Sequence, residues 1–450
     1  MLTTSWAYRA TVRLGMTLAP AIGLFEPKIL AGHHGRRDAG RRLLDWAKDA
    51  RDPDRPLVWF HAASVGEGLQ AESVIGALRS IRPDCQLVYT HFSPSAEELA
   101  GRLAVDVADY LPYDIASAAD RLLQALGPDL LVFAKLDVWP ELATKAARRG
   151  TDVAIVAATV RPGSGRLRWP AKKLLRPGYQ AVAAAAAISS EDATRLASLG
   201  VKADRIRVLG DPRFDSVAAK VGAISPAEPL LRFGHGGPTM VAGSTWPADE
   251  AVILQAFSQV HRLWPDARLI LVPHEPTAHH LEQLDRMVAD AGLPPTVRLS
   301  AADGPVPLLV VDRVGILATL YGAGVMAYVG GGFGRAGLHS TLEPAVWSLP
   351  VIFGPRWGGN RDAALLLGAG AGVALPRSGV SVAADALRTQ WEAWIADDAG
   401  REAQGRRARR VVEEGLGASE RSAQMLAELI SARPLRRSPL EVRSGRRSAQ

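Results

Sequence analysis

The chain has 450 residues, 48% of them apolar, and 53 Lys and Arg against 46 Asp and Glu give a net charge of +7. This length and apolar content suit two domains of about 200 residues, each with its own core. The single Cys85 excludes an internal disulfide framework and a Cys-based zinc site. No nucleic-acid module accompanies the positive charge, so no nucleic-acid partner is expected.

Residues 1–30 mix Trp6, Tyr8, Leu14, Met16, Leu18, Ile22, Leu24 and Phe25 with Arg9, Arg13 and Pro20. The apolar run after Arg13 is about 12 residues, too short to span a bilayer. No signal-peptide cleavage site follows. The segment reads either as an amphipathic, membrane-associating element or as an N-terminal helix packed on its domain. Arg36, Arg37, Arg41 and Arg42 add a basic flank.

From Leu57 the chain alternates short apolar runs with helical patterns. LVWFHA (57–62) reads as a buried strand and is followed by Ser64-Val65-Gly66-Glu67-Gly68 and a helix. A carboxylate between two glycines at a strand-to-helix switch suits a base at the mouth of an open α/β sheet. Ser64 can cap the helix, and Gly66 permits close approach of a ligand. Glu67 could equally serve only the helix dipole. Further strands are expected at 86–92, 129–135, 152–158, 181–189 and 206–211. Lys135 and Asp137 follow one of them, and Arg213 follows another.

The alternation breaks between about Ser216 and Pro238, where a linker (221–238) is expected. A second strand set then begins at 239–245, 268–274, 307–312, 325–331, 350–355 and 372–376. Gly243-Ser244-Thr245 ends the first of these just before a helix, a turn that suits a phosphate. His274 and Glu275 end the second. Tyr328–Pro344 carries Gly330-Gly331-Gly332, then His339, Ser340 and Glu343. A helix from near Gly337 would put His339 and Glu343 on one face. The embedded G-x-G-x-x-G is not read as a dinucleotide fingerprint, because it sits late in its domain and lacks the acidic residue downstream. No metal motif or P-loop is present, and no cofactor is expected. Strands alternating with helices on both sides of the linker predict an α/β protein with two Rossmann-like parallel sheets.

Taken in order, HAASVGE (61–67), THFSPS (90–95), AKLDVWP (134–140), GDPRFD (210–215), AGSTWPADE (242–250), PHEP (273–276), YVGGGFG (328–334) and LHSTLEPA (338–345) resemble one family. This is the 3-deoxy-D-manno-octulosonic acid (Kdo) transferases of lipopolysaccharide synthesis. The resemblance runs from about Trp6 to about Leu429. It implies a GT-B glycosyltransferase fold, two Rossmann-like domains with parallel sheets facing a central cleft. An acceptor domain would span 31–220 and a nucleotide-sugar domain 239–430. The resemblance also implies inverting, metal-independent transfer of Kdo from CMP-Kdo to a lipid A precursor (lipid IVA). Glu67 would be the general base. Ser64, Gly66, Lys135, Asp137, Arg213, Gly243, Ser244, Thr245, His274, Glu275, Gly330, Gly331, Gly332, His339, Ser340 and Glu343 would contact substrate, with Glu343 on the ribose. The N-terminal segment would seat the enzyme on an anionic membrane surface, the cytoplasmic face of the bacterial inner membrane.

The chain departs from the family pattern at Asp137, where a glutamate is common, at Ser340, where asparagine usually follows the histidine, and at Ile316, which replaces the last acid of a D-x-x-G-E segment. Arg361-Asp362 stands at a usually acidic helix start. Another GT-B activity, such as a nucleotide-sugar 2-epimerase or a transferase using a different donor, is the alternative. Residues 431–450 form a basic tail read as disordered.

Overall fold

The computed structural model describes residues 3–23 and 25–432. The basic tail from 433 onward lies outside the described residues. The chain divides into two compact units. One comprises residues up to Ser216 together with the chain from Leu416 onward, and the other is Val217–Gly415.

The first unit holds a seven-stranded parallel sheet of β1 (Leu57–Ala62), β2 (Gln86–His91), β3 (Val107–Tyr110), β4 (Leu130–Ala134), β5 (Asp152–Ala158), β6 (Ala184–Ala187) and β7 (Ile206–Val208). Its order is β3-β2-β1-β4-β5-β6-β7. All six residues of β1 are buried, as expected of a strand covered on both faces. Alternate side chains feed two core layers. Leu57 and Trp59 pack with Phe133, Leu142 and Tyr179. Val58 and Phe60 pack with Ile75, Leu78, Tyr89, Met425 and Leu426. Burying such side chains contributes about 1.5–3 kcal/mol each.

The last two of those residues lie on the helix Ala418–Ser431. The C-terminal helix therefore belongs to the first unit, not to a nucleotide-sugar domain running to residue 430. Its start is held by Asp215, whose carboxylate accepts from the N–H of Gly417 at 2.6 Å and of Ser419 at 2.7 Å. The expected linker is also structured. A helix spans Arg213–Gly222 and a 3₁₀ turn spans Pro229–Gly234, with Phe233 buried. A Cβ on Gly234 would meet the Ala323 backbone, so this stretch is packed into the second unit.

The second unit repeats the architecture with β8 (Thr239–Thr245), β9 (Arg268–Pro273), β10 (Val297–Arg298), β11 (Leu308–Val310), β12 (Met326–Val329), β13 (Val351–Phe353) and β14 (Gly372–Ala374). These are also parallel, in the order β10-β11-β9-β8-β12-β13-β14. Its core joins Met240 and Ala242 to Ile253, Phe257, Leu284, Tyr328 and Trp391. β3 and β10 are additions to the sequence reading. They are short edge strands of mixed polarity, without the apolar run that marks a central strand.

The N-terminal segment forms a helix, Trp6–Gly23, followed by a second, Pro27–Ala50. The first helix is tied down by polar contacts. Tyr8 donates to Asp114 at 2.7 Å, and Arg9 reaches the buried Glu141 at 3.0 Å. Asp114 also accepts from the N–H groups of Glu141 and Leu142, and burial pushes its carboxyl up to about 6. Trp6 (82%) and Phe25 (87%) remain exposed, as do Leu14, Leu18 and Ile22.

Candidate active site

The centre of the first unit's site is the switch from β1 into the helix Val65–Ile81. Ser64 is the N-cap, and Glu67, at the third helical position, completes a capping box. The Ser64 N–H donates to Glu67 Oε2 at 3.2 Å. Gly66 is exposed and has open space where a Cβ would stand. Beside β1 lies β4, and the residues that leave its end complete the group. Lys135 has φ 64°, a left-handed conformation costly for a side-chain-bearing residue. Its N–H is held by the Val156 carbonyl at 2.8 Å. Asp137 is bonded to Arg166.

Burial pushes the Glu67 carboxyl above the ordinary glutamate range, and the Asp137 charge adds to the effect. The Lys135 charge and the Ser64 hydrogen bonds pull the other way. The result is a half-buried carboxylate more basic than usual, which is what a general base needs. Ser64, Gly66, Glu67, Lys135 and Asp137 are thus brought together. Arg213, which follows β7, is folded onto Asp211 with Nε and Nη2 at 2.9 and 2.7 Å from Oδ2.

In the second unit the equivalent switch runs from β8 into the helix Pro247–Leu263. Ser244 has φ 53°, and the register with β9 slips between Gly243 and Thr245. Thr245 is fully buried, and its hydroxyl donates to Glu250 Oε1 at 2.9 Å. It therefore anchors the turn from within. Glu250 is itself fully buried and pairs with His280 Nε2 at 2.9 Å, while His280 Nδ1 bonds the Glu275 carbonyl. Burial would lower the imidazole, but the Glu250 partnership wins and raises it.

The glycine-rich turn after β12 packs against this strand end. A Cβ on Gly330 would sit 2.2 Å from the Ser244 carbonyl oxygen. Gly331 has φ 91°. The N–H of Gly330 goes to the Gly243 carbonyl, and that of Gly331 to Asp249 Oδ2 at 2.9 Å. Gly332 lies against Gly354, and its carbonyl accepts from the N–H of Arg356. The glycines are therefore required first by close backbone packing.

Gly337 has φ 87°, and the helix that follows spans only Leu342–Val346. His339 and Glu343 consequently do not share a helical face. His339 precedes the helix, its ring beside His274 at 4.4 Å. His274 stacks on Trp246 at 4.9 Å. Ser340 is exposed, as is Glu275. Glu343 accepts from Lys220 Nζ at 2.9 Å. Among the described residues no group of three or more His, Cys, Asp or Glu is placed to hold a metal ion.

Residues 38–216 match the family model described as 3-deoxy-D-manno-octulosonic-acid transferase (kdotransferase). Over 338 residues the chain is 29% identical to the 3-deoxy-D-manno-octulosonic acid transferase of Bordetella pertussis, covering 71% of this chain and 76% of that protein. Over 397 residues it is 25% identical to that of Haemophilus influenzae, covering 84% and 88%. Over these spans the chain is similar to Kdo transferases. The UDP-GlcNAc 2-epimerase of Neisseria meningitidis, solved with UDP-GlcNAc, aligns with TM-score 0.59 at 12% identity, covering 84% of this chain and 100% of that one. A glycosyltransferase from Rickettsia africae gives 0.51 at 11%, covering 85% and 100%. These likenesses bear on the fold alone, which is GT-B.

The sequence reading overlooked the buried wiring of the second unit. Asp249 and Glu250 look like ordinary first-turn acids, and their spacing after β8 is the only signal. Asp249 accepts from Tyr328 Oη at 2.9 Å as well as from Gly331 and Trp246. Asn360 also escaped notice. Its Nδ2 donates to the carbonyls of Leu338 and His339 at 3.2 and 3.0 Å.

Proposed function

We propose that this chain is a Kdo transferase, transferring Kdo from CMP-Kdo to a lipid A precursor (lipid IVA) and inverting the anomeric configuration without a metal. The observation that carries the reading is Glu67, a half-buried carboxylate of raised basicity at the open end of β1. An acceptor hydroxyl gives its proton to Glu67 as its oxygen bonds to the anomeric carbon of the donor. The bond from that carbon to the CMP phosphate breaks, and CMP leaves. Ser64, Gly66, Lys135 and Asp137 shape the base's surroundings. Ser244, His274, His339, Ser340 and Glu343 are assigned to the donor, with Glu343 toward the ribose. Thr245, Asp249, Glu250 and the three glycines support them.

The enzyme is proposed to work at the cytoplasmic face of the bacterial inner membrane. Among the described residues no helix is long and apolar enough to cross a membrane. The exposed Trp6, Leu14, Leu18, Ile22 and Phe25 support an N-terminal helix that lies on an anionic lipid surface.

The test is CMP release by purified protein given CMP-Kdo and a tetraacyl lipid A precursor, beside the Glu67→Gln variant. Release that requires both the acceptor and Glu67 is expected. CMP binding without release would move the assignment to another acceptor or sugar. Absence of CMP binding would favour a different GT-B activity, such as 2-epimerisation of a nucleotide sugar.

A further inference from the structure

Three aromatic rings in the second unit form a stack whose hydrogen bonding fixes a proton. The Trp246 indole lies on His274 at 4.9 Å with a 29° tilt, and His274 lies on His339 at 4.4 Å with a 30° tilt. Trp246 Nε1 then reaches across to His339 Nε2 at 3.2 Å. An indole nitrogen can only donate. His339 Nε2 must therefore present a lone pair, which leaves the ring's single proton on Nδ1 and excludes the doubly protonated form while the bond persists.

Both ends of this bond are held. The Trp246 backbone N–H is received by Asp249 Oδ2 at 3.1 Å, and Asp249 is fixed in turn by Tyr328 and Gly331. The His339 backbone N–H goes to the Gly330 carbonyl at 3.2 Å, and its backbone carbonyl accepts from Asn360. A Cβ on Gly331 would come within 3.2 Å of His339 Cδ2, so the ring rests against the glycine turn. Burial and the neighbouring His274 also hold this imidazole below the usual histidine range. No described protein group accepts from His339 Nδ1, whose hydrogen bonds are otherwise accounted for.

We infer that Trp246 is a positioning residue that locks His339 as a neutral Nδ1–H donor, and that this N–H serves an acceptor-only oxygen of the bound donor, a phosphate or a carboxylate. The inference rests on the proposed donor chemistry for its ligand, but not for the locked tautomer.

The experiment is ¹⁵N NMR of the histidine side chains in the full-length, ligand-free protein, with His339 assigned by substitution. A protonated Nδ1 and an unprotonated Nε2 are expected near neutral pH. Trp246→Phe keeps a ring for His274 to stack on but removes the donor, so the His339 signals should shift toward a mixture of tautomers. Titration with CMP and with CMP-Kdo completes the test. An asparagine amide mimics Nδ1 and a glutamine amide mimics Nε2, so His339→Asn should bind within about 3-fold of wild type and His339→Gln about 10-fold more weakly. A difference already present with CMP assigns the phosphate, and one seen only with CMP-Kdo assigns the sugar carboxylate. An Nε2–H or doubly charged His339 in the wild type would overturn the inference. So would Asn and Gln variants that fold but bind equally. If the wild type binds neither nucleotide, the donor assignment falls, and with it the role given to Nδ1–H, while the NMR decides the tautomer separately.

Discussion

Glu67 and Asp249 occupy the same place in two copies of one architecture. Each is the third residue of the helix that follows the first strand of its sheet, and each carboxylate accepts the backbone N–H of the residue just before that helix. Glu67 is half-buried, carries a raised carboxyl and, among the described residues, receives only the Ser64 N–H from the backbone. Asp249 is fully buried and receives Tyr328 Oη and the N–H groups of Gly331 and Trp246. The difference comes from the neighbouring strand. β4 ends in Lys135 and Asp137, which contribute charge, whereas β12 ends in glycines, which bring backbone donors close. One local code therefore yields a half-buried carboxylate of raised basicity in one unit and a brace in the other.

The largest test of this contrast is a pair of isosteric amides. Glu67→Gln should leave the fold and donor binding intact and lower turnover by about 10²–10⁴-fold, the usual cost of losing a positioned base. Asp249→Asn should act on structure instead. Its amide NH₂ would face donors that need an acceptor, a cost of about 2–3 kcal/mol. Thermal unfolding and CMP titration on both variants separate the two roles. Equal loss of stability in both would erase the distinction.

The centres of both sheets were readable because strands buried on two faces give unbroken apolar runs. β1, β5 and β8 fall at the expected Leu57–Ala62, Asp152–Ala158 and Thr239–Thr245. Glu67 was readable because a glycine-flanked acid at a strand-to-helix switch is locally unusual. The role of Asp249 was not, because its partner Tyr328 lies 79 residues away. Glu250 depends likewise on His280, 30 residues on. The helix expected from Gly337 starts only at Leu342, because the chain turns through positive φ at Gly337. The C-terminal helix carries nothing in its own periodicity to say which unit it covers. Only the Asp215 cap and the apolar layer beneath decide that.

A finer test perturbs Glu67 through its neighbours. Asp137 raises the Glu67 carboxyl and Lys135 lowers it. Asp137→Asn should therefore move the acid limb of kcat/KM to lower pH, because the base then ionises more easily. Lys135→Met should move the same limb to higher pH. Opposite displacements measured across the acid range would place both charges on Glu67. Movement in one direction for both variants would mean that the limb belongs to another group.

The smallest expected effect has the most telling sign. A carboxyl raised by burial penalises the folded state wherever the unfolded chain would ionise it. Below the ordinary glutamate value, about 4.3, both states hold the proton and the penalty vanishes. As pH rises from there through the raised folded value, stability is lost, and above it the loss is complete. Glutamine does not ionise, so Glu67→Gln should melt with the wild type at low pH and about 1–3 °C higher at pH 7. The Asp249 carboxyl is also raised by burial, yet Asp249→Asn should melt lower than wild type at pH 7, because three donors depend on its oxygens. Two carboxyls displaced in the same direction would then give opposite stability changes on neutralisation. Differential scanning calorimetry of the two variants at both pH values would read this, and a stabilised Asp249→Asn protein would break the assignment of Asp249 as a brace.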